Sequence, residues 1–317
     1  MLSSQFIKST AAAAGFDLCG IAPCRHLDRN EAYFRDWLDR GYHSTLNYLA
    51  RNLDKRFDPR RLVEGAQTVV VCAVGYKNPA GEGYPAECPV KIASYACSRD
   101  YHDTLRAMLR TLYEALRERH PQLTGRMLVD TAPLLEKQWA VEAGLGWIGR
   151  QSLLVTPQLG SYVVLGELVL TLPADRYDEP FEGSRCGRCS NCIDCCPAGA
   201  IVAPRTIDTN RCISRRTIER EGADDAGTLA GWIFGCARCQ RCCPYNRAAP
   251  MHRAAGFAPL FDPRAIAPEE WLAMDEEEFA RRFSGTPLMR SGLARIRENV
   301  RRNLTCAAEG ADDRSAQ

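Results

Sequence analysis

A chain of 317 residues that is 45% hydrophobic is long enough for one large domain or two ordinary ones and can fill a substantial core, which excludes a disordered or fibrous protein. Lys and Arg number 41 against 39 Asp and Glu, a net charge of +2. That balance neither demands a polyanionic partner nor excludes one, so any basic surface must be local.

The chain opens Met1-Leu2-Ser3-Ser4-Gln5-Phe6-Ile7-Lys8, which reads as the start of an amphipathic helix and not as a signal peptide. Residues 1–50 are expected to be helical, with Leu38, Tyr42, Leu46 and Leu49 at helical spacing. The β-branched run from Thr68 to Val74 predicts a buried strand, and the Pro- and Gly-rich stretch from Lys77 to Pro89 a loop. A helix follows over Tyr101 to Arg119, then a short strand Met127-Leu128-Val129 ending at Asp130, a helix from Pro133 to Ala143 and a strand from Ser161 to Leu172. Strands and helices mix without a regular βαβ rhythm, so the fold class is α+β. Asp175 to Arg185 is a polar boundary, and after Asn246 the chain turns helical and charged. No apolar run approaches the roughly 18 residues that span a bilayer, so a cytoplasmic protein without a membrane partner is expected.

Sixteen cysteines in a chain of this size suggest metal rather than a secreted disulfide framework, because ten of them fall between Cys186 and Cys243. Cys186-x2-Cys189-x2-Cys192-x3-Cys196-Pro197 is the bacterial ferredoxin cadence, in which three thiolates hold one cubane and the fourth ligates the other. Cys236-x2-Cys239-x3-Cys243-Pro244 repeats its last three members, and Cys212 completes a count of eight. The shared-ligand rule assigns Cys186, Cys189, Cys192 and Cys243 to a first [4Fe–4S] cluster, and Cys196, Cys212, Cys236 and Cys239 to a second. Cys195 and Cys242 are left over. Structural zinc is the alternative, since paired CxxC motifs also make four-cysteine zinc sites.

Two further motifs mislead. Gly144-Leu145-Gly146-Trp147-Ile148-Gly149 spells GxGxxG but follows a helix and not a strand, so the phosphate-cradling context is missing. Asp100-Tyr101-His102 begins like a corrinoid Asp-x-His-x-x-Gly signature, but Leu105 stands where the glycine belongs.

Lys91-Ile92-Ala93-Ser94-Tyr95, Arg99-Asp100-Tyr101-His102, the run Val129 to Lys137, the run Ala143 to Gly149 and the paired cysteine runs together resemble the epoxyqueuosine reductase family, from about Thr10 to Thr305. The resemblance implies a cobalamin-dependent enzyme that reduces the epoxide of epoxyqueuosine, at the tRNA wobble position, to queuosine. It implies a nitroreductase-like cobalamin-binding catalytic domain over residues 1–177, a ferredoxin-like module with two [4Fe–4S] clusters over 178–250 and a helical C-terminal segment over 251–317. It also implies cobalamin without a histidine on cobalt, in keeping with the broken signature. The partners implied are a tRNA carrying epoxyqueuosine and an external flavodoxin- or ferredoxin-like one-electron donor, with the chain itself a monomer. Many members carry a further helical-repeat region that grips tRNA; this chain ends soon after Gly285-Thr286-Pro287-Leu288, so that region is expected to be short or missing.

Asp130 occupies the family's proton-donor position, a role for which burial beside a corrin should raise its pKa. The competing reading is that Asp130 or Thr131 caps a helix begun at Pro133. Arg56 and Cys97 lie where the family contacts cobalamin. Arg215, Arg216 and Arg220, with Arg211, surround Cys212 and are candidates for phosphate contact, as are Arg290, Arg297 and Arg301 farther on; a solvated helix face is the alternative for both sets. Two other readings remain: a corrinoid and iron–sulfur reductive dehalogenase, whose usual twin-arginine signal is absent here, or a plain two-cluster electron carrier.

Overall fold

The computed structural model describes residues 1–219 and 227–315, with side chains to residue 306, so Arg220 lies outside the described residues. A four-stranded antiparallel sheet organises the N-terminal half, in the order Leu18–Pro23, Thr68–Gly75, Val163–Leu170 and Gly125–Leu128. All eight residues of Thr68–Gly75 are buried, as a β-branched run between two neighbouring strands requires.

Side-chain alternation splits that strand between two cores. Val70, Cys72 and Val74 face the helices Ser4–Ala13 and Tyr101–Arg119, where Leu105, Leu109, Leu112 and Leu116 form the buried stripe of an amphipathic helix. Val69, Val71 and Ala73 face the helix Glu136–Glu142 through Trp139 and Ala140. Gly20 lets the end of that helix close on the sheet, because a Cβ there would stand 2.1 Å from the Ala143 carbonyl oxygen.

A third core joins distant parts of the chain. The strand Trp232–Phe234 pairs in parallel with Lys91–Ile92, and Ile92, Cys97, Ile233 and Phe234 pack with Trp271, Phe279, Phe283 and Ile296 from the C-terminal segment. The segment that follows Leu288 is helical to Ser315 apart from a break at Gly292. Among the described residues no helix is long and apolar enough to cross a membrane.

The helix Tyr101–Arg119 has the bounds expected from sequence, whereas residues 1–50 do not form helices throughout. They contain the strand Leu18–Pro23, and Leu38, Tyr42, Leu46 and Leu49 belong to a helix end, turns and a 3-10 segment instead of one helical face. Only Gly20, Ile21 and Ala22 of its six residues are buried, so the strand carries no long apolar run.

Candidate active site and cluster-binding module

The cysteine-rich stretch folds into short pieces: four-residue helices Asn191–Asp194 and Arg238–Arg241, a small hairpin of Ile201–Ala203 with Thr206–Ile207, and the helix Ile213–Ile218. These bring the thiols into two groups. Burial and then the neighbouring Cys186 and Cys243 push the Cys192 thiol up to about 11, with Cys189 adding to the same effect. Burial pushes Cys236 up to about 12, with Cys212 and Cys196 beside it, and Cys239 is raised by burial and then by Cys236, Cys212 and Cys196. Each group is the set that the cadence pairs, including the crossing of Cys243 to the first group and Cys196 to the second.

Buried thiols whose anions would repel one another keep their protons until a cation replaces them, and iron, which stabilises thiolates, is such a cation. Among the described residues no three His, Cys, Asp or Glu side chains are gathered at single-ion distance. The Trp147 indole donates to Cys186 Sγ at 3.3 Å, the kind of outer hydrogen bond that tunes a cluster potential. The GxGxxG spelling thus has a structural explanation: Gly144 turns the chain with φ 75° and Trp147 packs on Phe181 and Tyr245.

A buried polar network fixes the module to the sheet. Gln240 Nε2 donates to Tyr76 Oη at 2.8 Å and to the Ser161 carbonyl at 2.8 Å, while Asn246 Nδ2 donates to Ser161 Oγ at 2.9 Å. From Tyr76 a row of edge-on rings, Tyr76 to Tyr95 at 6.1 Å and Tyr95 to Tyr101 at 6.1 Å, leads to Asp130.

Asp130 sits in a turn after the strand Gly125–Leu128, in the left-handed region with φ 54°, an uncommon conformation for any residue but glycine. Tyr101 Oη donates to its Oδ2 at 2.9 Å, and His102 Nε2 stands 3.4 Å from the same oxygen, at ion-pair distance though not aligned for a hydrogen bond. His102 Nδ1 is 2.7 Å from Asp100 Oδ1, and the ring stacks on Tyr101 with centroids 4.2 Å apart. Asp100 and then Asp130 raise His102 to about 9, so it is a cation at neutral pH. The Asp130 carboxyl is held below the usual carboxylate range, because His102 first and Tyr101 as well outweigh its desolvation. The expectation of a raised Asp130 pKa rested on burial beside a corrin; the protein's own groups act the other way, His102 and Tyr101 favouring the anion more than desolvation disfavours it.

Capping also fails as an account of Asp130. The helix runs Glu136–Glu142, its N-cap is Leu135 and no side chain caps it, so neither Asp130 nor Thr131 serves that end. Sequence reasoning missed Tyr101 and Glu136 as partners of this turn; Tyr101 lies 29 positions away in sequence, and only the paired helix and strand bring it close.

The remaining candidates divide. Arg56 is buried at 6% exposure, donates to the Tyr48 carbonyl at 3.2 Å and lies over Phe34, and its Nε has no hydrogen-bond partner. Tyr48 in turn feels the charges of Glu219, Arg290 and Asp130, which places Arg56 one residue from the Asp130 surroundings. Cys97 is different: its side chain is wholly buried in the third core and its thiol donates to the Ala93 carbonyl, so it offers no side-chain contact to a cofactor. Arg215 and Arg216 are also corrections. Both are buried, Arg215 donating to Ser44 Oγ and Arg216 to the Gly227 carbonyl at 2.9 Å, so these guanidinium groups brace the module instead of facing phosphates. Arg297 likewise donates to the Met274 carbonyl, while Arg290 pairs with Glu219 at 2.9 Å and Arg211 with Asp208 at 3.3 Å on the surface.

Two groups of cysteine thiols in a module fixed to an antiparallel sheet, with Tyr101, His102 and Asp130 gathered at the end of the tyrosine row, fit one class of protein: an iron–sulfur oxidoreductase. The family model described as Epoxyqueuosine reductase QueG, DUF1730 matches residues 56–131, and the 4Fe-4S double cluster binding domain matches residues 185–246. An epoxyqueuosine reductase of Cyclobacterium marinum is 39% identical over 94% of this chain and 95% of its own length. The fold is similar to a crystal structure of epoxyqueuosine reductase with an epoxyqueuosine-modified tRNA-Tyr stem loop, with a TM-score of 0.83 and 26% identity over 93% of this chain and 79% of that one. It is also similar to an epoxyqueuosine reductase structure from Bacillus subtilis whose catalytic aspartate loop is swung out of the active site, with a TM-score of 0.82 and 25% identity over 93% and 79%. The chain belongs to the epoxyqueuosine reductase family.

Proposed function

We propose that this protein reduces the epoxide of epoxyqueuosine in tRNA to the alkene of queuosine, with two [4Fe–4S] clusters passing single electrons from an external flavodoxin- or ferredoxin-like donor. The observation that carries this reading is the joining, in one chain of the family, of two four-thiol groups with the Asp130, Tyr101 and His102 unit. The first cluster is assigned to Cys186, Cys189, Cys192 and Cys243, and the second to Cys196, Cys212, Cys236 and Cys239.

The residues around Asp130 fit cobalamin. Glu136 is half-buried beside the Asp130 turn, where its Oε1 accepts the Asp130 N–H, and Lys137 next to it is exposed. Arg56, with its unpartnered Nε, is the side chain offered for holding the cofactor, in a nitroreductase-like setting. When bound, cobalamin would supply reducing equivalents to the epoxide carbon. The protein side of the chemistry is the departing oxygen, which needs protons. His102 holds one at neutral pH, Asp130 stands between His102 and the solvent-facing side, and Tyr101 fixes the carboxylate that passes it on. Arg290, whose charge reaches both Asp130 and Tyr48, is placed to steady the anionic substrate near this relay.

The tRNA is read as binding through exposed basic residues such as Arg211 and Arg301, in a cytoplasmic, monomeric enzyme with functional units at 1–177, 178–250 and 251–317. The test is Asp130→Asn in enzyme loaded with both clusters and cobalamin. Asn tolerates the left-handed turn, so folding should persist. Single-turnover reduction of epoxyqueuosine-containing tRNA by chemically reduced enzyme should slow by about 100-fold or more. Turnover close to wild type would remove Asp130 from the reaction.

A further inference from the structure

Behind the Asp130 turn lie two carboxyl groups that the proposed chemistry does not use. Glu167 occupies the middle of the strand Val163–Leu170, opposite Val71 on one side and Leu128 on the other, and is 0% exposed. It shares a sheet face with Leu165 and Val169, the face on which the helix Glu136–Glu142 packs. Neither of its carboxyl oxygens has a hydrogen-bond partner as a carboxylate. An isolated anion in such surroundings is very costly, so the group neutralises or pairs. The group within reach is the carboxyl of Glu136, the first residue of that helix. Two carboxyls can bond only if one of them carries a proton.

Glu136 reaches the other way as well. Its Oε1 accepts the backbone N–H of Asp130 at 2.5 Å, and this bond ties down a turn whose left-handed φ of 54° is uncommon for a residue with a Cβ. The strand, the helix start and the turn are thus linked in series: Glu167, Glu136, Asp130.

We propose that Glu136 and Glu167 form a proton-sharing positioning pair, in which Glu167 as the neutral acid donates to one oxygen of Glu136 while the other oxygen holds the Asp130 N–H and so aims the Asp130 carboxyl. The proposal rests on the reading of Asp130 as the proton-delivering group. It also explains why a fully buried acid interrupts an otherwise apolar strand.

The charges around the pair favour retention of a proton. Glu136 faces Asp130, Glu167 and Lys137; Glu167 faces Glu136 and Asp130, and its charge also reaches Cys72, which lies on the other face of the sheet with Cys19 beside it. Around Asp130 stand His102, Tyr101 and Arg290. Burial and then Asp130 raise Glu136, and burial and then Glu136 raise Glu167 still more. Lys137 donates to the Ser152 carbonyl at 2.7 Å, is pushed down by desolvation, and is the one cation named against the proton on Glu136, an influence smaller than burial and Asp130. Glu136 can accept the Asp130 N–H whether ionised or not. Loss of the last proton at alkaline pH places two anions in one buried site, and Glu136 must then swing away from the turn.

Two matched pairs of variants test this in full-length enzyme carrying both clusters and cobalamin. Glu136→Ala should abolish protection of the Asp130 amide against hydrogen exchange and slow single-turnover reduction by roughly ten- to a hundredfold, the scale expected for a misplaced catalytic group. Glu136→Gln keeps an acceptor for that N–H and should retain most of both. Glu167→Leu removes the donor and should behave like Glu136→Ala, whereas Glu167→Gln donates at every pH and should keep the protection that the wild type loses at alkaline pH. An Asp130 amide as protected in Glu136→Ala as in the wild type, or Glu167→Gln as impaired as Glu167→Leu, overturns the proposal. If Glu167→Leu does not fold, the two Glu136 variants decide alone. Full activity of Asp130→Asn would remove the catalytic reading, yet the exchange measurement would still report whether Glu136 holds the turn.

Discussion

The cluster module and the Asp130 turn are held together by opposite means. The module between Cys186 and Cys243 consists of four-residue helices and a small hairpin, and its centre is eight thiols whose buried thiolates repel one another. The turn at Asp130 is clamped by an eight-residue strand, a capped nineteen-residue helix and the Glu136–Glu167 carboxyl pair. A region short of regular structure needs its metal to be stable, because binding energy is folding energy there. A region braced by sheet and helix does not.

Removing the clusters is the hardest way to strain this contrast, and it should have the largest effect. Oxidative loss of iron and sulfide should expose the module to protease between residues 186 and 243 and abolish electron delivery, while the sheet and the helix Tyr101–Arg119 survive. Limited proteolysis with far-UV circular dichroism would check it, and a module equally resistant with and without iron would contradict the comparison. A sharper form uses the crossed ligands. Cys243→Ser should damage the first cluster although its sequence neighbours serve the second, and Cys196→Ser should damage the second although its neighbours serve the first. Paramagnetic resonance of the reduced variants separates the two losses.

The same contrast explains what could be read from the sequence. Cluster ligation is local chemistry: thiolates wrapping a cubane must follow a short cadence, so Cys186, Cys189 and Cys192 identify themselves by spacing, and a proline marks the end of each run. Cys212 was found by counting to eight. The Asp130 site is made of side chains from separate elements, and its position could be recognised through the family motif, but its electrostatics could not. The sign of its pKa depends on Tyr101 and His102, one helix away in space and about thirty residues away in sequence. Burial of Cys97, Arg215 and Arg216 was hidden for the same reason: it comes from the strand pairing of Trp232–Phe234 with Lys91–Ile92 and from the C-terminal helices, none of which leaves a mark near those residues.

Tyr101→Phe probes the Asp130 turn more gently. The ring, and with it the edge contact to Tyr95, is retained while the hydroxyl that donates to Asp130 is lost. Asp130 should then titrate at higher pH, since one of the two groups favouring its anion is gone. Single-turnover reduction should fall by roughly tenfold, the scale of one hydrogen bond to a charged group, with cluster content unchanged. A wild-type rate would show that His102 alone orients the carboxylate.

The smallest expected effect is on stability, and it separates His102 from the module altogether. On folding, His102 gains Asp100 and Asp130 as partners and its pKa rises from 6.5 to about 9. A group with a raised pKa stabilises the fold in full below its unfolded value and loses that contribution as pH rises through its folded value. The His102 contribution should therefore be complete below pH 6.5, shrink between there and about 9, and vanish above. Asp100 and Asp130, whose pKa values are lowered, contribute in the opposite sense and lose their share as pH falls into the carboxylate range. Because the group is only half-buried, solvent screening limits the effect to on the order of 1 kcal/mol. His102→Gln should thus lower the apparent Tm of cluster-loaded enzyme by a few degrees at pH 6.5, and the gap to wild type should close by pH 9.5. It should do so without any change in iron content, because none of the contacts of His102 reaches a cluster ligand. A gap that stays constant across this range would mean that the imidazole acts by packing on Tyr101 and not by its charge.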